Sequence, residues 1–193
     1  MTGGRWDSYA DRFAREYAEG ADLEGEARFV DLLADRGSRV LDAGCGTGRT
    51  TAALHRMGHL AVGVDRDAGL VAIARDRYPD ARYLTSDLLA LTPTVLRAAD
   101  APDEFDVVVL AGNVMVYLAP GTEPDALRVL TALVVPGGRI VTGFATDREY
   151  PVAAFDADAA AAGLVTEHRF GTWHLAPWSP DADWAVTILR RPG

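Results

Sequence analysis

Apolar positions along this chain follow two rhythms that take turns. Short, nearly continuous apolar runs alternate with segments whose apolar residues return every three or four positions, as buried strands and amphipathic helices do. The helical spacing appears first at residues 9–17 (YADRFAREY) and 24–33 (EGEARFVDLL), on either side of a turn at 19–22. A strand at 39–42 then leads through glycines into a helix at 49–57, closed near Gly58. A strand at 59–65, a helix at 68–78 stopped by Pro79 and a strand at 81–84 follow, and after them an apolar loop.

Residues 105–111 (FDVVVLA) form the clearest strand, because near-continuous branched side chains suit a sheet interior covered on both faces. A helix is predicted at 123–133, and Val135-Pro136-Gly137-Gly138 turns into a strand at 139–144. An alanine-rich helix at 151–162 is followed by strands at 164–173 and 184–191, joined by a loop carrying Pro177 and Pro180. Alternating strands and helices that end in such a hairpin predict an α/β fold, a mostly parallel sheet with an antiparallel edge strand.

Composition narrows the class. The 193 residues are 49% hydrophobic and 24% charged, which suits one soluble domain with a single core. Residues 1–36 are expected to supply helical lid elements and 37–193 the α/β core. Cys45 is the lone cysteine, so an internal disulfide is excluded. The N-terminal residues lack the apolar stretch of a secretory leader, and the apolar runs fall short of a membrane span; a cytoplasmic setting with no membrane partner is expected. The net charge of −9, with a pI near 4.8, works against nucleic acid as a partner.

The chemistry concentrates at residues 40–48, VLDAGCGTG, where a strand hands over to a helix. Gly44, Gly46 and Gly48 can bring backbone close to a ligand or adopt positive φ. Amides facing the next helix could hold an anionic group, aided by the positive end of that helix. Asp42 could accept from an amine or from the loop's own amides; otherwise the loop is only a tight turn that Asp42 caps. Asp65 closes the next apolar strand, VGVD, about twenty residues after the first glycine, where a carboxylate either accepts both hydroxyls of a ribose or caps the following helix. Asp87 follows the third strand, placed for an adenine amino group with Leu88 against the ring, or else as a solvated turn residue.

DAGCGTG at 42–48, VGVD ending at Asp65, TSDLLAL around Asp87, FDVVVLAGNVMVYL at 105–118 and VPGGRIV at 135–141 together resemble the class I S-adenosylmethionine-dependent methyltransferases, from about residue 40 to 190. That resemblance implies a Rossmann-like seven-stranded, mostly parallel sheet with a reversed terminal strand and helices on both faces. It implies S-adenosylmethionine as cofactor, its methionine end by Asp42, Gly44 and the neighbouring Cys45, its ribose at Asp65 and its adenine among Arg66, Asp87 and Leu88. Gly112 and Asn113 would face the reactive end, and Tyr9 and Tyr17 would close over the cofactor from a leading helix, or serve as packing aromatics.

The reaction so implied is direct displacement at an electrophilic methyl carbon, in which alignment does much of the work and no covalent enzyme intermediate is needed. The expected acceptor is a small organic molecule; a protein or peptide acceptor and a noncatalytic cofactor-binding regulator are the alternatives. No catalytic residue and no metal site stand out. His168, His174, Tyr117 and Glu149 could approach the cleft, while His55 and His59 read as surface residues. The loop sequence GNVMVYL departs from the Pro-Pro-aromatic pattern of relatives that methylate adenine amino groups or glutamine. Phe170, Trp173, His174, Trp178 and Trp184 make an aromatic tail that either covers a substrate or packs the terminal hairpin; for Trp184 packing is preferred. Oligomeric state, monomer or homodimer, is left open.

Overall fold

The computed structural model describes residues 22–193; the predicted helix at 9–17, with Tyr9 and Tyr17, lies outside the described residues. In chain order the elements are α1 (Gly25–Leu33), β1 (Arg39–Ala43), α2 (Arg49–Arg56), β2 (Leu60–Asp65), α3 (Ala68–Arg77), β3 (Arg82–Thr85), a 3₁₀ turn (Leu88–Ala90) and α4 (Pro93–Ala98). Then come β4 (Phe105–Leu110), α5 (Val114–Tyr117), α6 (Glu123–Leu133), β5 (Val134–Ala145), α7 (Val152–Ala161), β6 (Val165–Phe170) and β7 (Trp184–Arg190).

The seven strands lie in the order β3-β2-β1-β4-β5-β7-β6. The pairs among β1 to β5 are parallel, and β7 runs antiparallel to both β5 and β6. The reversed strand is therefore present, but it does not form the edge: β7 inserts between β5 and β6. Its buried and mostly apolar run, Ala185 to Leu189, needs cover on both sides, whereas half-exposed β6 tolerates the edge.

Successive side chains on a strand point to opposite faces, and the core divides accordingly. Leu41, Val108, Ile140 and Phe144 pack with Leu127 and Leu130 of α6 and Phe155 of α7. Val40, Val107, Val109 and Val141 pack on the other face with Phe29 and Val30 of α1 and Leu54 of α2. Each such side chain contributes roughly 1.5–3 kcal/mol through burial. β4 sits at the centre of the sheet with Val107 to Leu110 almost completely enclosed, as its branched run requires.

Two short elements escaped the periodicity. α4 forms where an apolar loop was expected: Thr92 caps it by accepting from the Val95 amide at 3.2 Å, and Pro93 supplies a preset first helical position. α5 has four residues, too few to show a period. β5 also starts earlier than expected. Val134 pairs with Phe105, and residues 135–138 bulge out before pairing resumes at Arg139 and Val107.

The aromatic tail packs the fold. Phe170 and Trp173 meet Phe29 edge-on, with centroids 5.9 and 5.4 Å away, and Trp173 lies so close over Gly143 that a β-carbon there would overlap the indole. Trp178 sits 5.2 Å from the Arg169 guanidinium, and Trp184 packs against the same core face as Val186. His59, read from sequence as a surface residue, is only 2% exposed, and its Nε2 lies 3.0 Å from Asp31 of α1; His55 is exposed. Among the described residues no helix is long and apolar enough to cross a membrane.

Candidate functional site

The chain leaves the sheet in opposite directions at the adjacent carboxyl ends of β1 and β4, and the crevice that opens there is where such sheets take ligands. The glycine loop fills its floor. Gly44, Gly46 and Gly48 all have positive φ, at 84°, 54° and 82°. At Gly48 the requirement is also steric: a β-carbon would lie 2.7 Å from the Tyr83 ring and hydroxyl, and that hydroxyl donates to the Gly48 carbonyl at 3.1 Å.

Four of the loop amides are engaged within the protein. Those of Gly44 and Cys45 donate to the Val64 carbonyl at 2.8 and 3.0 Å, and that of Gly48 donates to the Cys45 carbonyl at 2.9 Å. The Gly46 amide donates to Asp65 Oδ2 at 2.9 Å, so the carboxylate that ties down the loop is Asp65 rather than Asp42. The other Asp65 oxygen accepts from the Asp67 amide, also at 2.9 Å. Asp65 does not cap the next helix; Asp67 does, accepting from Gly69 and Leu70. Because each carboxylate oxygen has two lone pairs, Asp65 keeps acceptor capacity for a hydroxyl pair beside it.

Asp65 lines a cavity of about 710 Å³, a volume ordinary for small-molecule sites. Gly44, Gly46, Arg66, Asp67 and Leu70 share that wall, with Asp87 and Leu88 farther along. Asp87 is exposed and accepts from the Leu89 amide at 2.9 Å, while Leu88 is 7% exposed and adds an apolar contact to the lining. Gly112, Val114, Tyr117 and Leu118 close the opposite side. Of these, the sequence reading named Gly112 and Tyr117 and expected the loop at 113–120 over the cleft; that Val114 begins a short helix there was not visible in the period.

A second cavity of about 60 Å³ adjoins it, sharing Gly44, Gly46 and Gly112 and adding Asp42, Cys45, Thr47, Arg49 and Thr50. Asp42 is 1% exposed and accepts from the Thr51 hydroxyl at 2.6 Å. Burial raises its pKa to about 6 against the opposing pull of that hydrogen bond and of the Arg49 charge. Arg49 is bidentate to Glu26 of α1 at 2.7 and 2.8 Å. A carboxylate and a guanidinium beside one small cavity suit a zwitterion, with ammonium toward Asp42 and carboxylate toward Arg49. Arg49 was overlooked because an arginine opening a helix reads as a solvated residue.

Several predicted residues stand apart from both cavities. Gly48 supports the loop from behind; Cys45, by contrast, lines the small cavity, but burial beside Asp42 and Asp65 holds its thiol well above the usual range, so it stays protonated. Asn113 lines neither cavity; its side chain accepts from the Ala145 amide at 2.8 Å. His168 lies on the edge strand near Phe170, His174 lies beside Gly25 of α1, and Glu149 is exposed outside the cleft wall. Of the four residues considered for proton transfer, Tyr117 alone lines the cleft, 59% exposed at its mouth.

Comparison with known proteins bears on this geometry. Residues 40–138, just over half of the chain, match the model of a methyltransferase domain family. A TehB-like S-adenosylmethionine-dependent methyltransferase from Corynebacterium glutamicum superposes with a TM-score of 0.88 at 34% identity, over 96% of this chain and 97% of that one. Magnesium-protoporphyrin O-methyltransferase of Rhodobacter capsulatus is 39% identical over 102 residues, 50% of this chain and 40% of that protein. Trans-aconitate 2-methyltransferase of Paracidovorax citrulli is 31% identical over 116 residues, 59% of this chain and 41% of that one. The chain thus spans about two fifths of the length of these curated relatives. A glycine loop on a β1–α2 junction, a carboxylate ending β2 and a reversed β7 inside the sheet arise together here, and the chain belongs to the class I, Rossmann-like S-adenosylmethionine-dependent methyltransferases.

Proposed function

We propose that this chain transfers the methyl group of S-adenosylmethionine to a small organic acceptor in the cleft at the carboxyl ends of β1, β2 and β4. The observation that carries the reading is the partition of polar groups between the two adjoining cavities. The large one presents Asp65 as acceptor for a diol, and the small one presents Asp42 and Arg49 as complements to an amino acid zwitterion. S-adenosylmethionine carries both groups, and when bound it supplies an electrophilic methyl carbon on its sulfonium.

The protein's part is to bind, orient and exclude water. Asp65 would hold the ribose hydroxyls through charge-assisted bonds of about 1.5–3 kcal/mol each, and Asp87 with Leu88 would take the adenine. Asp42 and Arg49 would fix the amino acid end, with Arg49 itself held by Glu26. Val114, Tyr117 and Leu118 form the acceptor side, and water excluded by that apolar wall strengthens the polar contacts below it. Tyr117 is placed to stack against or hydrogen-bond an acceptor.

A small acceptor is supported by the size of the cleft and by the relatives whose names specify a porphyrin or an aconitate. Calorimetry with S-adenosylhomocysteine tests the cofactor half, and absence of binding would reject it. Incubation with methyl-labelled cofactor and size-fractionated cell extract tests the acceptor half. Label in the small-molecule fraction is expected; label confined to macromolecules would replace this reading with peptide or protein methylation.

A further inference from the structure

β4 stops pairing with β5 at Leu110 and Thr142, yet β5 continues to Ala145. The groups of β5 that a longer β4 would have engaged are met by one residue. The Asn113 amide donates to the Gly143 carbonyl at 3.2 Å, and the Ala145 amide donates to Asn113 Oδ1 at 2.8 Å. A backbone donor and a side-chain acceptor flank Phe144 as a paired strand residue would, so the Asn113 side chain stands in for a peptide carbonyl.

The same residue starts α5. Its carbonyl accepts from the Val116 and Tyr117 amides at 3.1 and 3.2 Å, and its φ of 71° turns the chain from the strand direction into the helix. Asparagine tolerates that region better than other residues with a side chain, and glycine, which also tolerates it, lacks the acceptor. The helix so anchored carries Val114 and Tyr117 into the cleft wall and places Val114 against Gly44, one of three glycines common to both cavities.

We propose that Asn113 is a positioning residue: by extending the β4 pairing along β5 as far as Phe144, it holds α5 so that Val114 and Tyr117 are set over the glycine loop. Asn113 itself lines neither cavity. Its ligand-binding consequence rests on the methyltransferase reading, whereas its effect on the free protein does not.

Two variants separate side chain from backbone. Asn113→Gly keeps the positive φ and removes the acceptor, and Asn113→Asp keeps both. Amide exchange by NMR on the free full-length protein should show Ala145 exchanging about tenfold faster in the glycine variant. Calorimetry should show S-adenosylhomocysteine binding about tenfold more weakly in the same variant, with the aspartate variant within about threefold of wild type in both measurements. A glycine variant that melts earlier but binds with unchanged affinity would overturn positioning in favour of simple support. Equal loss of affinity in both variants with Ala145 still protected in the aspartate variant would overturn it too, in favour of direct amide contact with ligand. If wild type fails to bind S-adenosylhomocysteine while Ala145 exchange still responds to the glycine variant, the cofactor reading falls and the anchoring of α5 stands.

Discussion

Val114 lies directly over Gly44: a β-carbon on that glycine would fall 2.5 Å from the Val114 Cγ2 methyl. Gly44 belongs to both cavities and Val114 to the larger, so the close approach that glycine permits is what brings α5 over the glycine loop. Gly44→Ala adds an overlap to an unfavourable φ of 84°. The expected loss is about 2–4 kcal/mol of stability, measured by denaturant unfolding, together with weaker S-adenosylhomocysteine binding. Gly44→Ala combined with Val114→Ala should recover part of that loss, because the overlap disappears while the backbone strain persists.

Asp65 holds two backbone amides and, on the proposed reading, the ribose as well, and substitution can separate the two. It holds the Gly46 and Asp67 amides, so Asp65→Ala should lower stability by about 1–3 kcal/mol as well as weaken the cofactor. Asp65→Asn retains one carbonyl acceptor for the loop but loses the charge. It should weaken S-adenosylhomocysteine about tenfold or more with a much smaller shift in melting temperature. Calorimetry and thermal melts on the two variants check the separation, and unchanged affinity in both would reject the ribose contact.

Asp42 should make ligand binding and stability respond to pH in opposite senses. Burial raises its pKa from 3.8 to about 6, so between those values the folded chain holds the proton more tightly than the unfolded chain. The ionised form costs stability above about pH 6, and that cost is relieved as pH falls toward 3.8. An ammonium partner needs the ionised form, so S-adenosylhomocysteine affinity should fall below about pH 6. Asp42→Asn should abolish this acid limb and weaken binding at neutral pH by about tenfold. Calorimetric titrations across the acid range give the profile.

Arg49 lowers the Asp42 pKa, and its own position is fixed by Glu26. Arg49→Met should move the acid limb of cofactor binding to higher pH and weaken binding throughout the range. It should also cost about 1–3 kcal/mol of stability, since Glu26, only 16% exposed, loses a charged hydrogen-bond partner. An acid limb that stays in place would show that the Arg49 charge does not reach Asp42.

Trp173 provides the control outside the cleft. Its indole packs on Phe29 and over Gly143, on the α1 face of the sheet. Trp173→Ala should destabilise by about 3–5 kcal/mol and leave cofactor affinity unchanged in the folded fraction. Loss of affinity at full folding would return the aromatic tail to the role of a cleft cover.

Local order along the chain was enough to determine the strand and helix alternation and the terminal hairpin, while the cofactor class followed from the resemblance of its motifs to a known family. Such features are written in hydrophobic period and in glycines whose positive φ no neighbouring residue can change. The carboxylates at 42, 65 and 87 were legible for the same reason, each following a recognisable strand. Tertiary structure alone decided how the polar groups divide their work. Asp65 rather than Asp42 grips the loop, because only β2 brings a strand end beside the Gly46 amide. Arg49 became a cleft residue because α1 delivers Glu26 to it, and Asn113 became an anchor because β5 outruns β4. The aromatic tail went to the core because α1 presents Phe29 there. Period and turn chemistry act over a few neighbouring residues, whereas a hydrogen bond between residues 19 or 32 positions apart exists only once the sheet has set their distance.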